Sequence, residues 1–231
     1  MSVREKIIII VAGGKGERMG TAVPKQFLLL NGKPILMHTI DVFHAFNVYM
    51  KIIVALPVQQ KETWKSLCAT YRFDVPHQVV SGGETRWNSV KNALAFVPSG
   101  CIVGVHDGVR PLVSREVIER CFSTAEAFPA VIPVLPLSDS IREINPQTQQ
   151  NKPVDRSHYR LVQTPQVFQS EILLQAYRMP CQPGFTDDAS VAGQYCEIRL
   201  VDGNPENIKI TTREDLTIAE ALLNPSPTCQ A

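Results

Sequence analysis

Lys6-Ile7-Ile8-Ile9-Ile10-Val11-Ala12-Gly13-Gly14-Lys15-Gly16-Glu17-Arg18-Met19-Gly20, with Pro24-Lys25-Gln26 just behind it, decides the fold of this chain. The isoleucine run reads as a buried strand, expected over 7–12. A strand that empties into a glycine-rich, cation-bearing loop is how an α/β protein holds a polyphosphate. Bare glycines let backbone N–H groups approach the oxygens, and long cationic side chains neutralise them. Gly13, Gly14, Gly16 and Gly20 stand within thirteen residues of Lys15, Arg18 and Lys25. Three cations suit a triphosphate better than a single phosphate, so the expectation is a nucleotide-handling enzyme.

Outward from that stretch, short apolar strands alternate with amphipathic helices. Strands are expected at 51–56, 77–81, 101–105, 130–135 and 197–202. Helices are expected from Pro34, over 60–71 and 84–97, from Ser114 as N-cap, from Ser170, from Thr186 and from Thr212, whose spacing to Asp215 fits a capping box. Asn31-Gly32 is a strong turn signal. This rhythm predicts an α/β protein with three αβα layers around a mostly parallel, Rossmann-like sheet. The rhythm breaks between Ser138 and Pro165, where polar alternation and Asn145–Pro153 predict an extended β-arm leaving the sheet. Such an arm cannot bury its own apolar side chains, so a partner subunit is expected. Residues 1–231 read as a single domain carrying that excursion.

Composition sets limits on function. With 23 basic and 22 acidic residues among 231, no global field favours nucleic acid or membrane. No segment approaches the ~20 apolar residues of a membrane span, and the N-terminus carries no signal-like apolar region. The six cysteines form no C-x-x-C pair and read as packed free thiols. A cytoplasmic location is expected.

The first loop is neither a P-loop nor a dinucleotide fingerprint. Gly14 is not followed by Gly-Lys-Ser/Thr at the right spacing, and Gly14-Lys15-Gly16-Glu17-Arg18 reaches Met19 where the fingerprint needs glycine. A second glycine pair, Gly82-Gly83, opens the helix that carries Arg86 and Ser89. It fits plain helix capping and ligand binding equally well. The third turn, His106-Asp107-Gly108-Val109-Arg110, follows another apolar strand. All three turns therefore fall at the carboxyl edge of one sheet, where ligands of open α/β folds bind. Asp107 can hold a ribose hydroxyl or the shell of Mg²⁺, and Arg110 can grip phosphate; an Asp107–Arg110 ion pair closing the turn is compatible with either. His106 reads as a packed residue rather than a base. Arg156, Thr164, Thr186 and Lys209, taken singly, read as solvated side chains or caps.

Together these motifs resemble the 2-C-methyl-D-erythritol 4-phosphate cytidylyltransferases. The resemblance rests on Ala12–Gly20 with Pro24–Phe27, Gly82–Val90, Val105–Pro111, Val154–Phe168, Thr186–Ser190 and Asn207–Thr211, in that order. It implies a nucleotide-diphospho-sugar-transferase type of fold, CTP and a polyol phosphate as substrates, Mg²⁺ as cofactor and a homodimer joined through the arm. It further implies that Arg18 and Lys25 stabilise the reacting triphosphate. Ala12, Gly13, Gly14, Gly83 and Ser89 would form the cytidine pocket, with Lys15, Gly16 and Arg86 completing the nucleotide site. Asp107 and Arg110 would lie between nucleotide and sugar phosphate. Lys209, Ser140, Thr164, Thr186 and Arg156 of the partner subunit would contact the acceptor. Gly108-Val109 and Ala12-Gly13-Gly14 also resemble the enzymes that cytidylylate ribitol 5-phosphate, which stand as the alternative. Val154–Ser157 and Thr186–Ser190 favour the methylerythritol enzymes. A catalytically silent nucleotide-binding regulator is the more distant alternative.

Overall fold

A run of four isoleucines can bury side chains on both faces of a sheet, and here it does. The structure, a computed structural model, describes residues 4–14 and 23–224. Strand β1 (Lys6–Val11) is flanked on both sides, and Ile7 to Ile10 are fully buried. Ile8 and Ile10 enter one core and Ile7 and Ile9 the other, because successive strand side chains point to opposite faces.

The first half of the chain continues with β2 (Leu29–Leu30), β3 (Lys33–Pro34), α1 (Ile35–Phe46), β4 (Lys51–Leu56), α2 (Lys61–Tyr71), β5 (Gln78–Ser81) and α3 (Arg86–Leu94). Then come β6 (Ile102–Asp107), α4 (Arg115–Ala125), β7 (Ala130–Pro136), β8 (Ile141–Ile144) and β9 (Asn151–Val154). The chain closes with β10 (Arg160–Val162), β11 (Gln166–Gln169), α5 (Ser170–Ala176), α6 (Asp188–Ala192), β12 (Arg199–Asp202) and α7 (Arg213–Leu223). Asn31 and Gly32 both take positive φ, 49° and 78°, as a tight turn between β2 and β3 demands. Thr212 and Asp215 form the expected capping box of α7.

Strands β6, β1, β4 and β5 lie parallel and side by side, with Val11 opposite both Ala55 and Asp107. Their carboxyl ends are thereby level. Phe43, Trp64 and Phe122 from α1, α2 and α4 fill one face, and Val90, Leu94, Leu173 and Val191 from α3, α5 and α6 fill the other. The result is the expected three-layer αβα arrangement.

The second half adds antiparallel strands to this mostly parallel sheet. β11 runs antiparallel between β6 and β7. β10 pairs antiparallel with β7 from Val162 to Arg160, so the chain has rejoined the main sheet well before 165. Strands of three and four residues are too short to leave a periodic signal. The excursion itself is the β8–β9 hairpin, a separate two-stranded sheet. The Asn145 side chain accepts from the backbone N–H groups of Gln147 and Thr148 and so shapes its turn. The helix expected from Thr186 begins instead at Asp188, with Asp187 as N-cap. Among the described residues, all five cysteines are free thiols.

Candidate active site

The level carboxyl ends of β1, β4, β5 and β6 open into a cavity of about 970 Å³. Ala12, Gly13 and Gly14 form its floor beyond β1, Gly82 to Arg86 one wall, and Asp107 and Lys209 another. Lys25 lies directly over the glycine loop: a Cβ on Gly14 would stand 2.8 Å from Lys25 Cε. The bare glycine leaves room for the cation to approach the backbone, and a side chain there would push the lysine end aside. The buried Gln26 amide holds this arrangement by donating to the Ala12 carbonyl at 2.8 Å and to Gln60.

The second glycine turn is equally tight. A Cβ on Gly83 would fall 2.3 Å from Asn88 Cβ. Ser89 Oγ accepts from Gly83 N–H at 3.0 Å and donates to the Thr85 carbonyl at 3.0 Å. Its hydroxyl therefore clips the turn to the start of α3. The wall is rigid because side chain and backbone satisfy each other.

Asp107 organises the charge. Lys209 Nζ lies 3.0 Å and Arg110 Nε 3.3 Å from its Oδ2, and Arg86 Nε lies 3.5 Å from Oδ1. Burial would raise its carboxyl, but Arg86, Lys209 and Arg110 outweigh burial and hold it well below the usual carboxylate range. Lys209 reaches this point because Ile210 N–H bonds the Val109 carbonyl at 2.9 Å and Ile210 joins a core with Leu30, Ile35 and Ala219. Arg110 stands behind Asp107, donating from Nη1 to the Asn207 carbonyl at 2.6 Å.

His106 is fully buried behind the same strand end. Its Nε2 lies 2.9 Å from the Arg110 carbonyl, which only accepts, so that nitrogen carries the proton. Nδ1 then accepts from Thr164 Oγ1 at 3.0 Å, and Thr164 Oγ1 accepts from Asp107 N–H at 3.2 Å. Both ring nitrogens are occupied. Burial lowers the His106 pKa to about 4; Asp107 opposes the shift, and Arg110 and Arg86 add to it. A group depressed in the fold contributes its full stability above the unfolded value of ~6.5 and loses it as pH falls towards 4. In metal-free buffer, unfolding free energy should therefore drop by about 3 kcal/mol between pH 6.5 and 4. His106→Gln, with no proton to gain, should flatten that limb in denaturant titrations. An unchanged slope would assign the acid sensitivity elsewhere.

The cavity thus brings together Ala12, Gly13, Gly14, Lys25, Gly83, Arg86, Ser89, Asp107 and Lys209. Lys15, Gly16 and Arg18 lie outside the described residues. Thr164 sits behind the wall, its hydroxyl committed to Asp107 and His106. Ser140, Arg156 and Thr186 are exposed; Arg156, in a 3₁₀ turn after β9, donates to the Ser138 carbonyl. Sequence reasoning passed over Gln26 and Asn207, both fully buried. Asn207 Nδ2 donates to the Thr164 carbonyl at 2.8 Å. Only a contact map distinguishes such buried amides from surface ones. Among the described residues, no three His, Cys, Asp or Glu side chains cluster as a metal site. One ionised carboxylate at the cavity wall suits Mg²⁺, which takes most of its ligands from phosphate and water.

Fold and site together define an α/β nucleotidyltransferase: a glycine loop after the first strand, a lysine laid over it, and cations gathered on one carboxylate at the same sheet edge. The sequence profile of 2-C-methyl-D-erythritol 4-phosphate cytidylyltransferase (IspD) matches residues 6–225, and the chain belongs to this family. It is 52% identical over 217 residues to the Phocaeicola vulgatus enzyme of that name, covering 94% of this chain and 98% of the relative. The Alkaliphilus metalliredigens enzyme of the same name is 39% identical, covering 97% and 95%. The crystal structure of the Thermus thermophilus enzyme superposes with a TM-score of 0.75 at 29% identity, covering 96% of this chain and 98% of that one. 4-Diphosphocytidyl-2C-methyl-D-erythritol synthase from Anaerococcus prevotii gives 0.80 at 25% identity, covering 95% and 96%.

Proposed function

We propose that this chain transfers CMP from CTP to 2-C-methyl-D-erythritol 4-phosphate, releasing pyrophosphate, a step of isoprenoid precursor synthesis. The convergence of Lys25, Arg86 and Lys209 on one cavity over the glycine loop carries the reading. Two mutually repelling anions need that density of positive charge. An oxygen of the acceptor's phosphate monoester attacks the α-phosphorus of CTP. The bond from that phosphorus to the bridging oxygen breaks, and pyrophosphate leaves with its electron pair. The monoester has its second pKa near ~6 and is ionised at neutral pH, so no general base is needed. His106 fits that account, since neither of its ring nitrogens is open to substrate.

Lys25, with Arg18, would stabilise charge developing on the triphosphate. Ala12, Gly13, Gly14, Gly83 and Ser89 would shape the nucleoside pocket, and Lys209 would clamp the acceptor phosphate. Mg²⁺ would be held by Asp107 and the nucleotide's own phosphates, and when bound it offsets negative charge on them. Arg156 of the partner subunit would reach the acceptor, with Ser140 and Thr186 near it. In support, Arg156 is exposed on the arm and absent from the lining of its own chain's cavity. Exposed Ile144, Tyr159 and Leu161 on and beside the arm would be covered in a homodimer. Among the described residues no helix is long and apolar enough to cross a membrane, which agrees with a cytoplasmic enzyme.

Pyrophosphate release should be measured with CTP and either methylerythritol phosphate or ribitol 5-phosphate. The reading requires methylerythritol phosphate to be the faster acceptor; the reverse order would reassign the substrate. Mixing Lys25→Ala with Arg156→Ala protein should restore part of the activity lost in each, because a mixed dimer holds one intact composite site. No recovery after demonstrated subunit exchange would place the site within one chain.

A further inference from the structure

Arg86 divides its guanidinium between two carboxylates. Nη2 lies 2.6 Å from Asp188 Oδ2, and Nε lies 3.5 Å from Asp107 Oδ1. Asp188, the first residue of α6, has a side chain that is 0% exposed, while the Arg86 side chain is 29% exposed at the cavity wall. The second Asp188 oxygen accepts from the Tyr177 hydroxyl at 2.6 Å. Burial, and next the Asp188 charge, push the Tyr177 phenol above its ordinary value, so it remains a donor. Trp87, the neighbour of Arg86, stacks on the Tyr177 ring at 5.4 Å and 22°. Ala189 N–H bonds Gln166 Oε1 at 2.8 Å, which ties α6 to the central strand β11.

A buried carboxylate is costly to keep unless it is paired in good geometry. Here the pair reaches the cavity, where a long arginine would otherwise sample several rotamers. We propose that Asp188, backed by Tyr177, is a positioning residue that holds the Arg86 guanidinium in one orientation towards Asp107 and the phosphates of the bound nucleotide. This rests on the reading of the chain as a CTP-dependent cytidylyltransferase. Arg86, Arg110 and Lys209 carry three positive charges against two on Asp107 and Asp188. Neutralising Asp188 makes the cluster more positive, so attraction for an anionic nucleotide is kept while orientation is lost. Misplacing a contacting group by about 1 Å costs on the order of 10²-fold in rate.

The test is a cycle of Asp188→Asn and Tyr177→Phe, each alone and combined with Arg86→Ala, with thermal melts to confirm folding. Asp188→Asn should lower kcat roughly 10- to 100-fold without raising KM for CTP, and Tyr177→Phe should act more weakly in the same direction. In the Arg86→Ala background neither change should cost further turnover, because residues acting as one unit are non-additive. Losses that multiply with Arg86→Ala, or a raised KM with kcat intact, would overturn the proposal. If Asp188→Asn fails to fold, the Tyr177→Phe pair decides. If the wild-type chain forms no CDP-linked polyol and no pyrophosphate, the functional reading fails instead. The thermal melts across the same cycle then still measure whether Asp188 acts on Arg86: non-additive stability losses support it, and additive ones overturn it.

Discussion

Lys25→Ala is expected to lower kcat by about 10²–10³ while leaving KM for CTP within a few-fold. The end of the lysine side chain lies close over Gly14, which places the ammonium at the glycine loop on the wall of the cavity. A preorganised cation of this kind acts on charge that grows as the bond to pyrophosphate breaks, and so stabilises the transition state more than the bound ground state. The cost corresponds to about 3–4 kcal/mol of barrier. Steady-state turnover at saturating CTP and acceptor would measure it. A variant whose KM rises while kcat holds would show that Lys25 serves binding alone.

Asp107→Asn should remove about 3–5 kcal/mol of folding stability at neutral pH, because a buried charge set loses its common partner. Arg110 and Arg86 lose the carboxylate they share, and the bond from Lys209 Nζ becomes a contact with a neutral amide. The Asp107 carboxyl is depressed in the fold. Its contribution is therefore fully present above the unfolded value of ~3.8 and is lost progressively as pH falls from there through the lowered folded value, a window distinct from that of His106. Urea titrations at pH 7 and at steps below pH 4 follow this loss: the gap between wild type and variant should be widest at pH 7 and shrink progressively as pH falls from 4 towards 2. A loss under 1 kcal/mol at pH 7 would mean that the three cations are held by other contacts.

Much of the architecture was legible because burial leaves a periodic mark. Ile7–Ile10 and Ile52–Leu56 are continuous apolar runs, as strands covered on both faces must be. α4 was readable from the Ser114 cap and its stripe Val117, Ile118, Cys121, Phe122 and Ala125. β10 and β11 were not readable, since three or four residues beside a proline carry too little pattern. Their reversal of direction is set by pairing with β6 and β7.

The candidate site divides along the same line. Glycine spacing and the cations near it mark the phosphate end of the cavity by chain order alone, and Asp107 and Arg110 are close enough in sequence to be read as a pair. Nothing local links Arg86 to Asp188, Thr164 to His106, or Lys209 to Asp107, although each pair is in hydrogen-bonding contact. By itself the amino-acid order determined which strands are buried, where the backbone can approach an anion, and which side chains carry charge near those turns. The tertiary structure alone decided which of those charges meet and which polar groups are sealed behind them. Pairing across the sheet and burial in its cores set the distances, and electrostatic and hydrogen-bond energies depend on distance rather than on position along the chain.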